Sequence, residues 1–485
     1  MRGSLGTPAA GTLGPVARIS LAALAAVLVL LVGEAPASPL ARQDVVIPMD
    51  DGTPIAATLH LPDSAAPAGG WPAIVVLHGL PGDRQQMNAL VALTGLVDQG
   101  YAVLTFDSRG FGGSGGLVGV AGPREVADVG ALHAWLAARG DVADAKIAAL
   151  GFSYGGGTAL NSLVAGVPWR AVFVAQTWTD LYGALMPQGL VKSGSLASLV
   201  DAVPPERRDP SLAPVAAAAL AGNAAAVRPW AAERSSLTRL GSVTTPVFMA
   251  QGRRDFLFGM EHGSLAYPRL RGSKVLYFGL HGHAPSTFPA ADTASLLQLA
   301  RGWLDCHLRE LACDPAAASV YVVPESFTGR ISRRGSLPPT RAATFGAPGV
   351  STFAQRGKAV RRIAPLRSAI ETFGSPRVTT TIAASGGWSR LVAVLSARTP
   401  RGKEIVVGAG GVPTRNGTRR VTIRLSNQAT YLPRGSRLTL TLASSSTAQA
   451  ASNTLYLDLP MAPTARVRVG TASLVLPVLR TPVTR

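Results

Sequence analysis

Ala148-Ala149-Leu150-Gly151-Phe152-Ser153-Tyr154-Gly155-Gly156-Gly157 reads as a buried strand that runs through G-x-S-x-G and straight into a helix. A serine on so tight a strand-to-helix turn is pushed out at the top of a sheet, with its hydroxyl free. Glycines at 151 and 155 suit that turn, because a Cβ at either would meet the neighbouring strand or helix. In a chain with 53 glycines the pentapeptide alone is weak. Its apolar approach, its helical exit and the residues that follow downstream make it specific.

Outward from this turn, the runs 73–77, 102–106, 147–150, 171–175, 247–250 and 274–278 are almost continuously apolar. Such runs predict strands covered on both faces, and the helical stretches between most of them predict right-handed βαβ units in a mostly parallel sheet. Ahead of them, 45–49 and 55–61 alternate around the turn Asp50-Asp51-Gly52-Thr53, a hairpin signal. An antiparallel start leading into a parallel sheet is the α/β-hydrolase plan. Residues 182–239 break the rhythm with Ala- and Leu-rich sequence around Pro204-Pro205. They are expected to form a helical cap that shapes a substrate pocket. A helix follows over 290–311, with Leu296, Leu299, Trp303 and Leu304 on its apolar face.

Past Cys313, Thr, Ser, Val, Gly and Pro dominate and helical periodicity disappears. Short alternating strands are expected at 378–382, 391–395, 421–425, 438–442, 455–459 and 473–476, separated by turn signals. They predict a second, all-β sandwich domain. The fold class is therefore α/β followed by all-β: a catalytic domain over 43–314, capped at about 182–239, and a β-sandwich over 315–485.

The length of 485 residues fits this division, since it exceeds what one compact core supports. With 47% apolar and 15% charged residues the chain is not a disordered one. Arg2 and Arg18, the apolar run 19–32 and Ala35-Pro36-Ala37 form the n-region, h-region and cleavage site of a secretory signal over 1–37. Export is expected, and with no cysteine after the h-region lipid attachment is not. In an exported protein Cys306 and Cys313 are expected to pair as a local disulfide. His307 alone does not make a metal site beside them, and no metal or cofactor is expected. The net charge of +19 is uneven: residues 1–315 hold 22 Lys+Arg against 23 Asp+Glu, and residues 316–485 hold 24 against 4. A basic C-terminal half suits contact with an anionic cell envelope. Arginine makes up 41 of the 46 basic residues, which an arginine-rich composition also produces, and no aromatic interleaving or basic helix points to nucleic acid.

Ser153 needs a base, and the base needs an orienting acid. In this fold class the order along the chain is Ser, Asp or Glu, then His. Asp255 lies just past the strand 247–250 and fills the acid position. The strand 274–278 ends in Gly279-Leu280-His281-Gly282-His283, which offers two bases. His283 opens onto small residues from which its ring can reach the serine, and His281 suits packing beneath the loop. For the oxyanion, the Tyr154 N–H follows the nucleophile and a second donor comes from His78-Gly79-Leu80-Pro81-Gly82. Pro81 lacks an N–H, which leaves Leu80. His78 is then structural, as is the loop Asp107-Ser108-Arg109-Gly110-Phe111-Gly112-Gly113-Ser114-Gly115, which lacks a phosphate-binding context. His133 reads as a packed residue beside Trp135, and His60, His262 and His307 carry no partner pattern.

Together these landmarks resemble the Xaa-Pro dipeptidyl-peptidase and cocaine-esterase-like family of α/β-hydrolases. The resemblance rests on Asp107-Ser108-Arg109-Gly110 with Gly112 and Ser114, Glu125 and Asp128 ahead of Trp135, and Gly151-Phe152-Ser153-Tyr154-Gly155. Arg234-Ser235-Ser236, Gly252 with Asp255, Trp303-Leu304-Asp305 and Gly374-Ser375-Pro376 extend it. Gly279 with His283 is similar to the family's G-P-W-x-H ending, which favours His283 over His281. The resemblance spans about residues 43–462 and implies a C-terminal jelly roll, galactose-binding-like domain. It implies a serine hydrolase acting on a small ester or peptide substrate, with Ser153, Asp255 and His283 as the triad and Leu80 and Tyr154 at the oxyanion. One departure bears on specificity. The family carries a tyrosine donor in the first oxyanion loop, where this chain has Leu80, and no clear acidic pair is present to hold a peptide α-amine. The contrasting expectation is an envelope-binding protein that acts through its basic β domain, with the α/β domain as scaffold.

Overall fold

The computed structural model describes residues 41–483 apart from 284, 285, 287, 312–317, 328 and 329. The signal segment over 1–37 and Cys313 of the expected disulfide lie outside the described residues.

β1 (Ala41–Pro48) and β2 (Pro54–Leu61) form the expected hairpin, in a register that sets Ile47 opposite Ile55. β3 (Trp71–Leu77), β4 (Ala102–Phe106), β5 (Val142–Phe152), β6 (Ala171–Ala175), β7 (Val247–Gly252) and β8 (Lys274–Gly279) then pair in parallel. The strand order β1-β2-β4-β3-β5-β6-β7-β8 puts the C-terminal end of β5 at the middle of the sheet. Along β3, Ala73, Val75 and Leu77 join one buried cluster while Ile74 and Val76 join the cluster on the other face. That double burial explains the unbroken apolar runs, and it contributes roughly 1.5–3 kcal/mol for each fully buried Val or Ile. Helices α1 (Arg84–Thr94), α2 (Pro123–Ala137) and α3 (Tyr154–Val164) follow β3, β4 and β5.

Between β6 and β7 the chain builds the cap from α4 (Leu181–Leu185), α5 (Ser193–Asp201), α6 (Leu212–Leu220) and α7 (Ala224–Glu233). The short α8 (Glu261–Ala266) follows β7, and α9 (Ala290–Arg309) follows β8. The first sheet does not stop at residue 314, the expected end of the first domain. β9 (Ala318–Val322) pairs parallel with β8, and β10 (Ser332–Arg334) pairs antiparallel with β9, giving ten strands among the described residues. The polar, Gly- and Pro-rich sequence around these two short strands hides their membership.

The second domain is an antiparallel jelly-roll sandwich. One sheet has β15 (Arg377–Ser385), β18 (Gly417–Arg424), β14 (Ile370–Gly374) and β19 (Gln428–Leu432) arranged around the long β21 (Arg466–Leu479), with β11 (Thr340–Ala347) and β12 (Ser351–Ala354) on β21 as well. The other is β13 (Lys358–Arg362), β20 (Arg437–Ala443), β16 (Arg390–Arg398) and β17 (Glu404–Pro413). Val378, Ile382 and Leu474 of the first meet Leu391, Leu395 and Leu440 of the second in one core. Residues 455–459, expected as a strand, are an irregular loop with a bend at Leu455 and Tyr456 instead. Alternation marks extended chain but does not supply a ladder partner. Here Leu455 O accepts from Gly194 N at 3.2 Å and Leu457 N donates to Ser193 Oγ at 2.8 Å, so the loop clasps the first turn of α5.

Candidate active site

Ser153 occupies the turn from β5 into α3 with φ of +50°, a left-handed conformation that non-glycine residues adopt only when their surroundings impose it. Its N–H donates to Ala175 O at 2.9 Å, and its carbonyl accepts from Thr177 Oγ1 at 2.7 Å. A Cβ on Gly155 would lie 2.3 Å from Leu77 O, and one on Gly151 would lie 2.5 Å from Gly155 O. The two glycines let helix and strand approach closely enough for the turn to close. Tyr154 is buried, and its hydroxyl donates to Glu125, which also accepts from Gly119 N at 2.8 Å and Gly122 N at 2.6 Å. Burial pushes the Glu125 carboxyl up against the opposing pull of those three donors.

The structure brings Ser153, His283 and Asp255 together, each at the C-terminal edge of the sheet. Ser153 Oγ is 2.9 Å from His283 Nε2. His283 Nδ1 is 2.7 Å from Asp255 Oδ2, which also accepts from the His283 N–H at 3.0 Å. Asp255 Oδ1 accepts from the N–H groups of Leu257 and Phe258, both at 2.9 Å. Burial pushes the Asp255 carboxyl up, but the His283 imidazole and the surrounding amides outweigh it and hold the group below its ordinary value. With Nδ1–H committed to Asp255, Nε2 is left to accept from the serine. Phe258 packs edge-on against the His283 ring at 5.2 Å and fixes its tilt.

His281 takes the packing position. It is buried, lies parallel to the Tyr277 ring at 6.0 Å, and is 3.3 Å through Nδ1 from Gln176 Nε2. His78 is fixed on both nitrogens: Nε2 accepts from Ser108 N at 3.0 Å, so Nδ1–H donates to Gly79 O at 2.7 Å. The loop that His78 steadies passes directly beside the serine, since a Cβ on Gly79 would lie 3.6 Å from Ser153 Cβ. Leu80 follows in that loop. Among the described residues, neither the Leu80 nor the Tyr154 N–H donates to a backbone or side-chain acceptor. Both are free for an oxyanion.

The loop after β4 is architectural. Asp107 accepts from Arg84 N at 2.7 Å and Gly113 N at 2.9 Å, and Arg109 forms a two-point pair with Asp128 at 2.8 and 2.7 Å. His133 packs on Trp169 at 4.9 Å, and His60 bonds Asn88 at 2.8 Å. A cavity of about 470 Å³ lined by Arg109, Arg124, Glu125 and Arg234 includes neither Ser153 nor His283. Its charges are already engaged, Arg109 with Asp128 and Glu125 with Tyr154.

The support of the acid loop was not legible in sequence. Gln428, on β19 of the second domain, donates through Nε2 to Asp255 O at 2.7 Å, and Ala429 N donates to Arg253 O at 2.8 Å. Arg253, fully buried, forms an ion pair with Glu371 of β14, also fully buried, at 2.5 Å. The sandwich therefore forms part of the frame of the site.

Comparison with known proteins agrees with this layout. The X-Pro dipeptidyl-peptidase family (S15) matches residues 51–285. A CocE/NonD family hydrolase from Staphylococcus aureus superposes with a TM-score of 0.69 at 13% identity, over 90% of this chain and 94% of that one. An α-amino acid ester hydrolase superposes with a TM-score of 0.69 at 16% identity, over 92% and 99%. An aminopeptidase from the marine sediment archaeon Thaumarchaeota archaeon gives 0.67 at 14% identity, over 92% and 99%. Two uncharacterized proteins of Mycobacterium tuberculosis are 37% identical over 142 residues, 29% of this chain, and the match spans about half their length (47%). Fold and site layout define an α/β-hydrolase. Within that class, residues 51–285 match the X-Pro dipeptidyl-peptidase family (S15), and the chain as a whole resembles the CocE/NonD hydrolases in fold.

Proposed function

We infer that this protein is an exported serine hydrolase that cleaves small esters, or amides of similar shape, through an acyl-enzyme. The observation that carries the reading is the continuous chain from Ser153 Oγ through His283 to Asp255, at 2.9 and 2.7 Å. His283 Nε2 takes the serine proton as Oγ bonds to the acyl carbon, and the carbonyl oxygen turns its negative charge toward the Leu80 and Tyr154 N–H groups. Collapse breaks the bond to the leaving group, which receives the proton from His283. Water then attacks the acyl-enzyme with the same base, releasing the acid and restoring Ser153. Leu80, in place of the family's tyrosine donor, favours ester over Xaa-Pro peptide substrates. Export by the segment 1–37 is part of this reading, and so is pairing of Cys306 with Cys313.

The test is a fluorophosphonate probe on the purified mature protein, with the label located by mass spectrometry. Labelling at Ser153 is expected, none in Ser153→Ala, and turnover of p-nitrophenyl esters lower in that variant by on the order of 10⁶. Wild-type ester turnover by Ser153→Ala defeats the assignment.

A second reading, contact with an anionic envelope, is favoured by one face of the sandwich. Arg424 and Arg420 of β18, Arg377 of β15, and Arg468 and Arg466 of β21 are exposed and share one side of the sheet by register. No acidic side chain pairs with these five among the described residues. If this face docks the protein, retention on envelope material falls steeply with salt and is lost when the five are replaced by Ser, while hydrolysis is unchanged.

A further inference from the structure

One buried cation near the site has no part in the steps above. Lys192 immediately precedes α5 in the cap and is 4% exposed. Its Nζ donates to Phe256 O at 2.9 Å and to Leu257 O at 3.1 Å. These carbonyls belong to the peptide units whose N–H groups, of Leu257 and Phe258, donate to Asp255 Oδ1. Each of the two peptides is thus gripped at both ends, with an ammonium at its oxygen and a carboxylate at its hydrogen. Both charges align with the peptide dipole, so each strengthens the hydrogen bond at the other end. We propose that Lys192 is a positioning residue for the reaction: reaching from the cap, it fixes through two peptide groups the carboxylate that orients His283. The proposal rests on the serine-hydrolase reading above.

Burial holds the Lys192 ammonium below its ordinary value, against the opposing pull of the Glu261 and Asp255 carboxylates. Across from it on α8, burial pushes the Glu261 carboxyl up, and burial together with the Lys192 charge lowers His262 to about 3, so that ring stays neutral. Lys192 is itself rigidly placed. Its N–H donates to Leu185 O at 2.8 Å, and the next two residues are clasped by the loop at 455–457 of the sandwich. A Cβ on Gly194 would lie 1.7 Å from Thr454 O, so that contact is a tight one. A lysine that merely tied down the cap could bond any carbonyl. This one bonds the two whose peptide N–H groups face Asp255.

The test compares Lys192→Met, which keeps the stem and removes charge and donors, with Lys192→Gln, which keeps a donor without charge. For whichever variant folds, kcat on a p-nitrophenyl ester is expected to fall about 10- to 100-fold, with KM within a few-fold of wild type. The glutamine variant should retain more activity than the methionine one. The proton NMR signal of the His283 Nδ1–H, assigned by its absence in His283→Ala, should be displaced in both variants at a temperature well below their melting points. A lowered melting temperature with unchanged kcat and an unmoved signal would reduce Lys192 to a structural tie and overturn the proposal. Should the wild type prove inert to probe and ester, the hydrolase reading falls, while the His283 signal still reports whether Lys192 governs the Asp255–His283 contact.

Discussion

Around Ser153 the backbone is fixed by residues 151–155 and the strands flanking β5, whereas around Asp255 it is fixed by parts of the chain far apart in sequence. The serine's turn needs two glycines and a neighbouring carbonyl. The acid's loop is gripped by Lys192 of the cap, by Gln428 and Ala429 of the sandwich, and by the buried Arg253–Glu371 pair. The Ser153 turn is thus a local device, and the Asp255 loop a meeting point of three substructures. This difference predicts that the serine side fails by steric intrusion and the aspartate side by loss of distant partners.

The largest effect that separates the two sides is expected from Asp255→Asn. Among the described residues the four hydrogen bonds of this carboxylate are all with N–H donors: His283 Nδ1 and N on one oxygen, Leu257 N and Phe258 N on the other. An amide must turn its own NH₂ against one of those pairs, and His283 is driven to the wrong tautomer. A fall of about 10⁴ in kcat is expected, read by ester hydrolysis. The same substitution should alter acid stability. Asp255 is held below its ordinary value in the fold, so it contributes stability above its unfolded pKa of about 3.9 and loses it as the pH falls through the folded value. Urea melts between pH 3 and 7 should therefore fall less steeply on acidification in Asp255→Asn than in the wild type, and equal slopes would contradict this.

On the other side, Gly155→Ala is the matching probe. The added Cβ would lie 2.3 Å from Leu77 O, where Cβ contacts below 3.0 Å are essentially never seen, and the obstacle is backbone. The turn must shift by most of an ångström, which costs about 100-fold in rate when it moves a reacting atom. Fluorophosphonate labelling should slow in proportion, with the Asp255–His283 contact unaffected. An unchanged labelling rate would mean that the turn yields elsewhere.

The same contrast accounts for what the sequence discloses. Ser153, Gly151 and Gly155 were legible because the geometry they serve is made by the residues beside them. The parallel sheet was legible because strands buried on both faces cannot hide among polar residues. Asp255 and His283 followed from chain order, and the choice of His283 over His281 needed the family's motif, since both rings flank the same glycine. Lys192 and Gln428 carried no signal, for each acts on a loop that only tertiary structure brings near. β9 and β10 were missed because they are short and flanked by turn residues. Residues 455–459 alternate like a strand but bend at Leu455 and Tyr456, because their hydrogen bonds go to a helix end and not to a ladder.

The smallest effect, and the most direct test of the sandwich's share in the site, is Gln428→Ala. Its Nε2 donates to Asp255 O at 2.7 Å from a fully buried position, so truncation leaves that carbonyl without this donor. The cost in stability is about 1–3 kcal/mol, measurable by urea unfolding. Ala429 N still holds Arg253 O, and Asp255's carboxylate contacts are untouched, so kcat should fall only a few-fold. A loss approaching that of Asp255→Asn would show that the sandwich sets the acid's position by itself and that the cap is secondary. No change in either stability or kcat would mean that the β domain leans on the acid loop without steadying it. Between those limits, the loop is over-determined: cap and sandwich each restrict it, and neither alone decides where the carboxylate points.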